Sequence, residues 1–330
     1  MTAPRLGDRL RQGTRRWRGP LVLAGIFVLA IVVSPRTFDG EIIFLGAGNL
    51  TDMLRAITPV GIMALAMTYV ILTAGIDLSV GSVMALAGVV AGLLLVNWKP
   101  GLHPGVQVAI AIAAAIGAGG LVGTLNGALI ATLGIQPFII TLAAMIGVRG
   151  LGLWLSNNER IGLGVGQDVA GGFGDLYSGK VLMIGTFLVL AALFAVLLNR
   201  TVFGRYVRAV GDNPLAARYA GLPVRRVQLA VYTLSGLMAG VAGVLLCART
   251  TTGDPNAGIA SELDAIAVVV IGGTSLAGGK GGIAGTLTGA LIVGVLTNIL
   301  GLRNVDFNAQ LMLKAVIILV AVALQRRRAG

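Results

Sequence analysis

Charge is scarce in this chain of 330 residues, where Asp, Glu, Lys and Arg together make 12%, so ionisable residues inside its apolar runs are the natural candidates for chemistry. Asp77 lies in GIDLSVGS. Its carboxylate either caps the helix that follows, helped by Ser79 and Ser82, or lines and gates a path. Arg149, in GVRGLG, sits deep in an apolar stretch and needs a carboxylate partner or a helix boundary one turn away. Glu262 and Asp264 open SELDAIAVVV, where first-turn carboxylates also suit the positive end of a helix dipole. Lys314 either reaches the interface or lines a pore. Asn126, Gln136, Thr141, Thr286, Thr288 and Asn298 are uncharged polar residues in apolar runs, with Phe138 close to Gln136. Hydrogen bonds between helices explain most of them without a substrate. No catalytic constellation emerges: there is no Ser/His/Asp set, no paired Asp-rich box and no metal-ligand spacing. The single cysteine, Cys247, excludes a disulfide within the chain, and the single histidine, His103, excludes a histidine-based metal site. The Gly-Gly-Lys ending at Lys280 imitates a phosphate-binding loop, but Thr274 stands where that loop needs glycine and Gly281 where it needs Ser or Thr. The chain is therefore not expected to bind ATP itself.

One stretch has a different character. RTVFGRYVRAVGDNPLAARYAGLPVRR, Arg200 to Arg226, is a polar island in an apolar chain. Asn213 can cap a helix whose first residue is Pro214, because an N1 proline gives up only an amide that has no helical partner. Gly221 offers the left-handed stop, Pro223 blocks a restart, and Arg218 lies near the negative end of the dipole. The sequence thus predicts a short helix from Pro214 to Ala220. Alone in water so short a helix is unstable, so it must be docked. Leu215 and Tyr219 share one face, and Ala216 and Ala220 another that lets a partner approach closely. Two readings fit: a helix lying on lipid headgroups with Leu215 and Tyr219 dipped in, or a peg docked on a partner.

The elements that must position these residues follow from composition. Hydrophobic residues make 56% of the chain and mean hydropathy is +0.91, which indicates an all-α, polytopic membrane bundle of about ten spans. After the apolar run from Pro20 to Ser34, spans are expected at 56–74, 79–96, 106–130, 137–155, 180–198, 227–247, 263–277, 282–301 and 309–325. The 50 glycines suit membrane helices, where small residues let backbones approach. The formal charge of +12 has no basic domain to carry it, so nucleic acid is not the expected partner. Threading the spans from a cytoplasmic start puts inside the tail's Arg5, Arg9, Arg11, Arg15, Arg16 and Arg18, the island, Lys280, and Arg326, Arg327 and Arg328. Outside fall Arg36, Arg55, Lys99, Arg160, Lys180, Arg249 and Arg303, scattered singly. The positive-inside rule then places both termini in the cytoplasm. One transmembrane domain, 1–330, is expected, with a basic tail at 1–19 and a cytoplasmic loop at 199–226. Ser156 to Gly179 reads as an exterior loop. The glycine-dense Ile271 to Gly285 reads as a broken or tightly packed helix.

Four ordered blocks, GIDLSVGS from Gly75, NGALIATLGIQPFIITLAAMIGVRG from Asn126, GRYVRAVGDNPLAARYAGL from Gly204 and ELDAIAVVVIGGTSLAGGKGG from Glu262, closely resemble the ribose-type sugar permeases of bacterial ABC importers. The likeness runs from about Leu50 to the C-terminus, and the first 50 residues match poorly. The resemblance implies an inner-membrane, non-catalytic permease that pairs with a second permease chain, the same or a sister. A cytoplasmic ABC ATPase would carry ATP and magnesium, with no cofactor in this chain, and a periplasmic sugar-binding protein would deliver the cargo. It further implies that Asn213, Pro214, Leu215, Ala217, Arg218 and Gly221 form the coupling helix that enters the ATPase. The path or its gate would draw on Asp77, Ser79, Asn126, Gln136, Phe138, Thr141, Arg149, Glu262 and Asp264. Close relatives carry a furanone-like signal or a nucleoside, which makes such a solute the alternative cargo. A membrane enzyme and an ion-driven carrier are the readings from other classes, and a carrier would show inverted repeats and buried mid-membrane carboxylates.

Overall fold

A long apolar run inside lipid can satisfy its backbone only by closing its hydrogen bonds within a helix, and this chain does so almost throughout. The structure, a computed structural model, describes residues 6–164 and 169–326. Arg5, Arg327 and Arg328, and residues 165–168 of the expected exterior loop, lie outside the described residues. In chain order the helices are α1 (Leu6–Val33), α2 (Ala47–Leu72), α3 (Val80–Val96), α4 (Pro104–Leu133), α5 (Pro137–Leu155), α6 (Val169–Tyr177) and α7 (Lys180–Arg200). They continue as α8 (Val202–Asp212), α9 (Pro214–Tyr219), α10 (Val224–Thr250), α11 (Ser261–Ile271), α12 (Ile283–Leu302) and α13 (Phe307–Arg326). Two short strands, β1 (Ile161–Gly162) and β2 (Thr252–Gly253), pair antiparallel with Ile161 opposite Gly253.

By length and composition, α2, α4, α5, α7, α10 and α12 can cross a membrane, while Gly19–Val33 and α3 are shorter apolar helices. The span expected at 263–277 does not form. α11 stops at Ile271 after 11 residues, a rise of about 16 Å against a hydrocarbon core of roughly 30 Å. The chain reaches α11 from within the bundle. From β2, where Gly253 lies against Gly88, it descends along α3 until Gly258 lies against Gly81 and Met84. α11 then runs to the end of the bundle that also holds Asn213. There the glycine-dense stretch breaks the helix: Gly273, Gly278 and Gly279 take φ of +91°, +87° and +71°, and Gly279 N–H donates to the last carbonyl of α2, Leu72 O, at 3.0 Å. At the opposite end, where α10 finishes at Thr250, the stretch expected as an exterior loop contains β1 and α6. Arg160 pins it to the segment after β2 by an ion pair with Asp254 at 3.0 Å.

α2 and α10 form the core. α2 is buried from Ile57 to Leu72 except at Val60. α10 meets α4 through glycines spaced four apart: Gly119 and Gly123 of α4 face Gly236 and Gly240 of α10, and Gly127 lies against Leu229 and Tyr232. A Cβ at Gly123 or Gly236 would run into the backbone of the facing helix. Polar links tie the other layers. The Thr68 and Thr286 hydroxyls bond at 2.6 Å between α2 and α12, and Tyr69 Oη donates to Phe194 O of α7 at 2.6 Å.

Because backbone cannot yield as a flexible side chain can, Gly123→Val and Gly236→Val are expected to destabilise by about 1–3 kcal/mol or more. Gly185→Val, at a position with nothing within 4 Å of the added Cβ, should be nearly neutral. Thermal melting of the three purified variants in detergent checks this ranking.

Candidate functional site

The polar island folds as two helices at one end of the bundle. Thr201 caps α8, its hydroxyl accepting from Gly204 N at 3.4 Å. α8 turns Phe203, Tyr206, Val207 and Val210 inward, while Arg205 faces outward. That 3, 1, 3 spacing is an amphipathic helix that the charge content of the island hides from a reading of the sequence. Gly211 ends α8 flush against the Leu72 carbonyl. Asn213 Oδ1 then accepts from Ala216 N at 2.9 Å and starts α9. Its far end is closed by paired bonds, Leu222 N to Ala217 O at 3.0 Å and Gly221 N to Arg218 O at 3.1 Å, with Gly221 at φ +77°. This is a Schellman stop, and it hands the chain to α10 within four residues. α9 is therefore rigid at both ends although only 6 residues long.

The geometry corrects one residue. Ala217, expected at the contact with the partner, points inward, is 5% exposed and packs in the chain's own core. It anchors α9. The outward face consists of Leu215 and Tyr219, 66% and 90% exposed, with Pro214, Ala216, Arg218 and Ala220 also exposed.

Behind this surface lies a buried polar knot. Asp77, 1% exposed, sits in the connection that turns back into the bundle between α2 and α3. Its Oδ1 accepts from Ser79 N at 2.9 Å and Ser79 Oγ at 2.6 Å. Its Oδ2 accepts from Ser235 Oγ of α10 at 2.7 Å. Asn126 Nδ2 of α4 donates to Ser79 Oγ at 3.0 Å, and Thr141 Oγ1 of α5 lies 3.2 Å from Ile76 O. The Tyr232 hydroxyl, buried and without a hydrogen-bond partner among the described residues, lies beside Gly75. The capping position of α3 belongs to Ser79, with no side-chain bond. Asp77 is thus not the cap of α3; it ties the start of α3 to α10, and through Ser79 to α4.

The remaining expected site residues are not gathered there. Gln136 is exposed at the start of α5 and makes no capping bond, and Phe138 is exposed two residues on. Arg149 does not pair with a carboxylate: its Nη1 donates to Pro255 O at 2.6 Å and Ala257 O at 2.7 Å, holding the descending segment before α11. Glu262 sits beside Gly81. Asp264 Oδ2 pairs with Lys314 Nζ of α13 at 2.9 Å. Ser235 was not singled out by the sequence, since one serine in YTLSGLMAG carries no spacing signal.

Comparison with known proteins is consistent over nearly the whole chain. Residues 49–322 match the family model described as branched-chain amino acid transport system / permease component. The ribose import permease protein of Bacillus subtilis is 40% identical over 321 residues, covering 96% of this chain and 95% of that relative. The fructose import permease protein of Rhizobium meliloti is 38% identical over 311 residues, covering 91% and 83%. The L-arabinose ABC transporter permease protein of Azospirillum brasilense is 39% identical over 287 residues, covering 86% and 82%.

The knot makes a separate prediction. Ser235→Ala removes a hydrogen bond to a buried carboxylate, which should cost about 1.5–3 kcal/mol. A lower melting temperature that Ser235→Thr largely restores, read in detergent, is the expected result.

Proposed function

The chain belongs to the permease-component family that its residues 49–322 match, and from that premise we propose that it is the membrane subunit of an ATP-binding-cassette importer that carries a monosaccharide into the cytoplasm. It is a multi-pass inner-membrane transport subunit, not an enzyme. Names of relatives that import ribose, fructose and L-arabinose, at about 40% identity along most of the chain, support the sugar reading. In this reading a second permease chain completes the pathway, a periplasmic binding protein delivers the sugar, and ATP with magnesium is held by a cytoplasmic ATPase. In this reading the chain makes about ten crossings, one of them by the descending segment before α11 together with α11, and both termini lie in the cytoplasm, since the arginine clusters then share one side.

The observation that carries the proposal is α9: a short helix capped at both ends, anchored by Ala217, and presenting Leu215 and Tyr219 to the outside. A loop that merely reverses the chain does not need this rigidity. A peg that transmits movement does. When the ATPase closes on ATP, a displaced α9 moves α10, to which the Schellman stop joins it directly. α10 in turn carries Ser235, and through Asp77 it carries the start of α3. The motor's stroke thereby reaches the middle of the bundle without passing through a flexible link.

Leu215→Asp and Tyr219→Asp, on the outward face, should leave the permease folded and inserted, yet cut ATPase association about thirtyfold or more, as loss of an aromatic hot spot does. Uptake into vesicles should fall with it. Asn213→Ala should act in the same direction by about 1 kcal/mol through the lost cap. Co-purification of the ATPase, with uptake scored against permease level across a panel of monosaccharides, makes the measurement. Normal association by both aspartate variants would assign α9 to the headgroup layer.

A further inference from the structure

A void with polar groups in its walls lies outside the knot, between α2, α11, α12 and α13, and has a volume of about 450 Å³. It reaches from Asp52 and Leu302, at the ends of α2 and α12 on the Thr250 side, down to Asp264 and Val293. Its polar groups form two tiers. At the rim Asp52 pairs with Lys180 at 2.9 Å, and the Asn49 and Asn298 amides bond reciprocally at 3.0 and 2.9 Å. At the floor Lys314 pairs with Asp264 at 2.9 Å. Thr297 stands between the tiers, exposed although it is inside a helix packed on its other faces. Ile57 and Val60 make the apolar wall.

We infer that this cavity is a transit site for the monosaccharide, with the Lys314–Asp264 pair at its floor reading the sugar's hydroxyls. The inference rests on the importer reading and adds the residues that would touch the cargo. The volume falls within the range of small-molecule pockets, about 300–1,000 Å³. The floor pair has hydrogen-bonding capacity to spare: an ammonium offers three donors and a carboxylate four lone-pair sites, and the pair uses one of each on itself. Two neighbouring hydroxyls can bridge such a pair, one accepting from Lys314 and the other donating to Asp264. A purely apolar solute would gain nothing from it. Asp264 lies in the first turn of α11, the half-length helix that starts inside the bundle. The floor therefore lies deep, and not on the surface.

The cavity's own geometry also separates it from a lipid crevice, because each of its two ends carries an ion pair and its middle a hydroxyl. Transport is best read as flux here, since a delivering protein sets affinity. In the assembled importer, Lys314→Gln and Asp264→Asn are expected to lower maximal uptake about tenfold, the loss of one charge-assisted hydrogen bond. Half-saturation and ATP hydrolysis stimulated by the binding protein should stay near those of the parent. Accessibility supplies a test that does not depend on those variants folding. Cys247 is buried, so a membrane-impermeant thiol reagent added from outside should spare the parent chain. It should modify Thr297→Cys and thereby block uptake, but not modify Val295→Cys, whose side chain is buried on the same helix. Loaded binding protein with ATPase and ATP should slow the reaction. Unmodified Thr297→Cys, modification only by a lipid-permeant reagent, modification with full uptake, or parental flux in both charge variants would each overturn the inference. A parent importer that moves no sugar of the panel would instead overturn the importer reading, whatever the labelling shows.

Discussion

Everything in this bundle depends on the close approach of α4 and α10. Lipid is as apolar as the helices it surrounds, so association gains nothing from burying leucine and must come from packing and hydrogen bonds. Gly119, Gly123, Gly127, Gly236 and Gly240 let two backbones touch, which brings the interior faces of α3 and α2 within reach of α10. Ser235 of α10 can reach Asp77 only because α10 is held that close to the turn before α3. The same device recurs between α11 and α12, where Gly272 faces Gly285 and Gly289 lies against the Val268 carbonyl. Bulk at these seams would not simply loosen the fold; it would pull the polar groups out of register.

That register explains how a surface helix can act on the interior. α9 stands on α10 through a stop that fixes its direction, and α8 packs on α7, α10 and α2 through an apolar face. The Asn213 end is therefore one stiff body. Its hydrogen bonds to the rest of the bundle converge on carbonyls and carboxylates that sit at helix ends, such as Leu72 O and Asp77. Helix ends hold free acceptors, so they are where a moving element can be gripped without breaking a helix.

The helices with strong hydrophobic runs and clear punctuation were legible in the sequence. Asn213–Pro214 marks the start of a helix and Gly221 its end, both through chemistry local to a few residues. What was not legible depended on distant partners. α11 reads as a span to about 277, because the glycine-dense stretch from Ile271 marks a break without showing that the helix stops at its first residue, where Leu72 O later takes the Gly279 N–H. β1 and β2 are two residues each, too short for any pattern. For the site, the cap at Asn213 and the oddity of Asp77 were readable. The inward turn of Ala217, the carbonyl partners of Arg149 and the role of Ser235 were not, since each is decided by a residue far away along the chain.

Three sets of buried and half-buried charges, at Asp77, at Arg149 and at the Lys314–Asp264 pair, are accommodated in different ways, and the difference separates structure from traffic. Asp77 is surrounded by hydroxyl and amide donors that belong to the fold, with both oxygens committed. Arg149 spends one nitrogen on two backbone carbonyls and so fixes the path of the chain into α11. Both arrangements hold the chain's own elements together, and neither residue lines the cavity. Lys314 and Asp264 pair at the floor of a cavity, half-buried, with one bond between them. Isolating either charge would be costly, but a polar solute that bridges them isolates neither. A membrane protein that must pass hydroxyl groups through an apolar bundle needs such a place, where polarity is already counterbalanced and still has bonds to give. Among the three solutions, the pair at the start of the half-length helix is the one that meets both requirements.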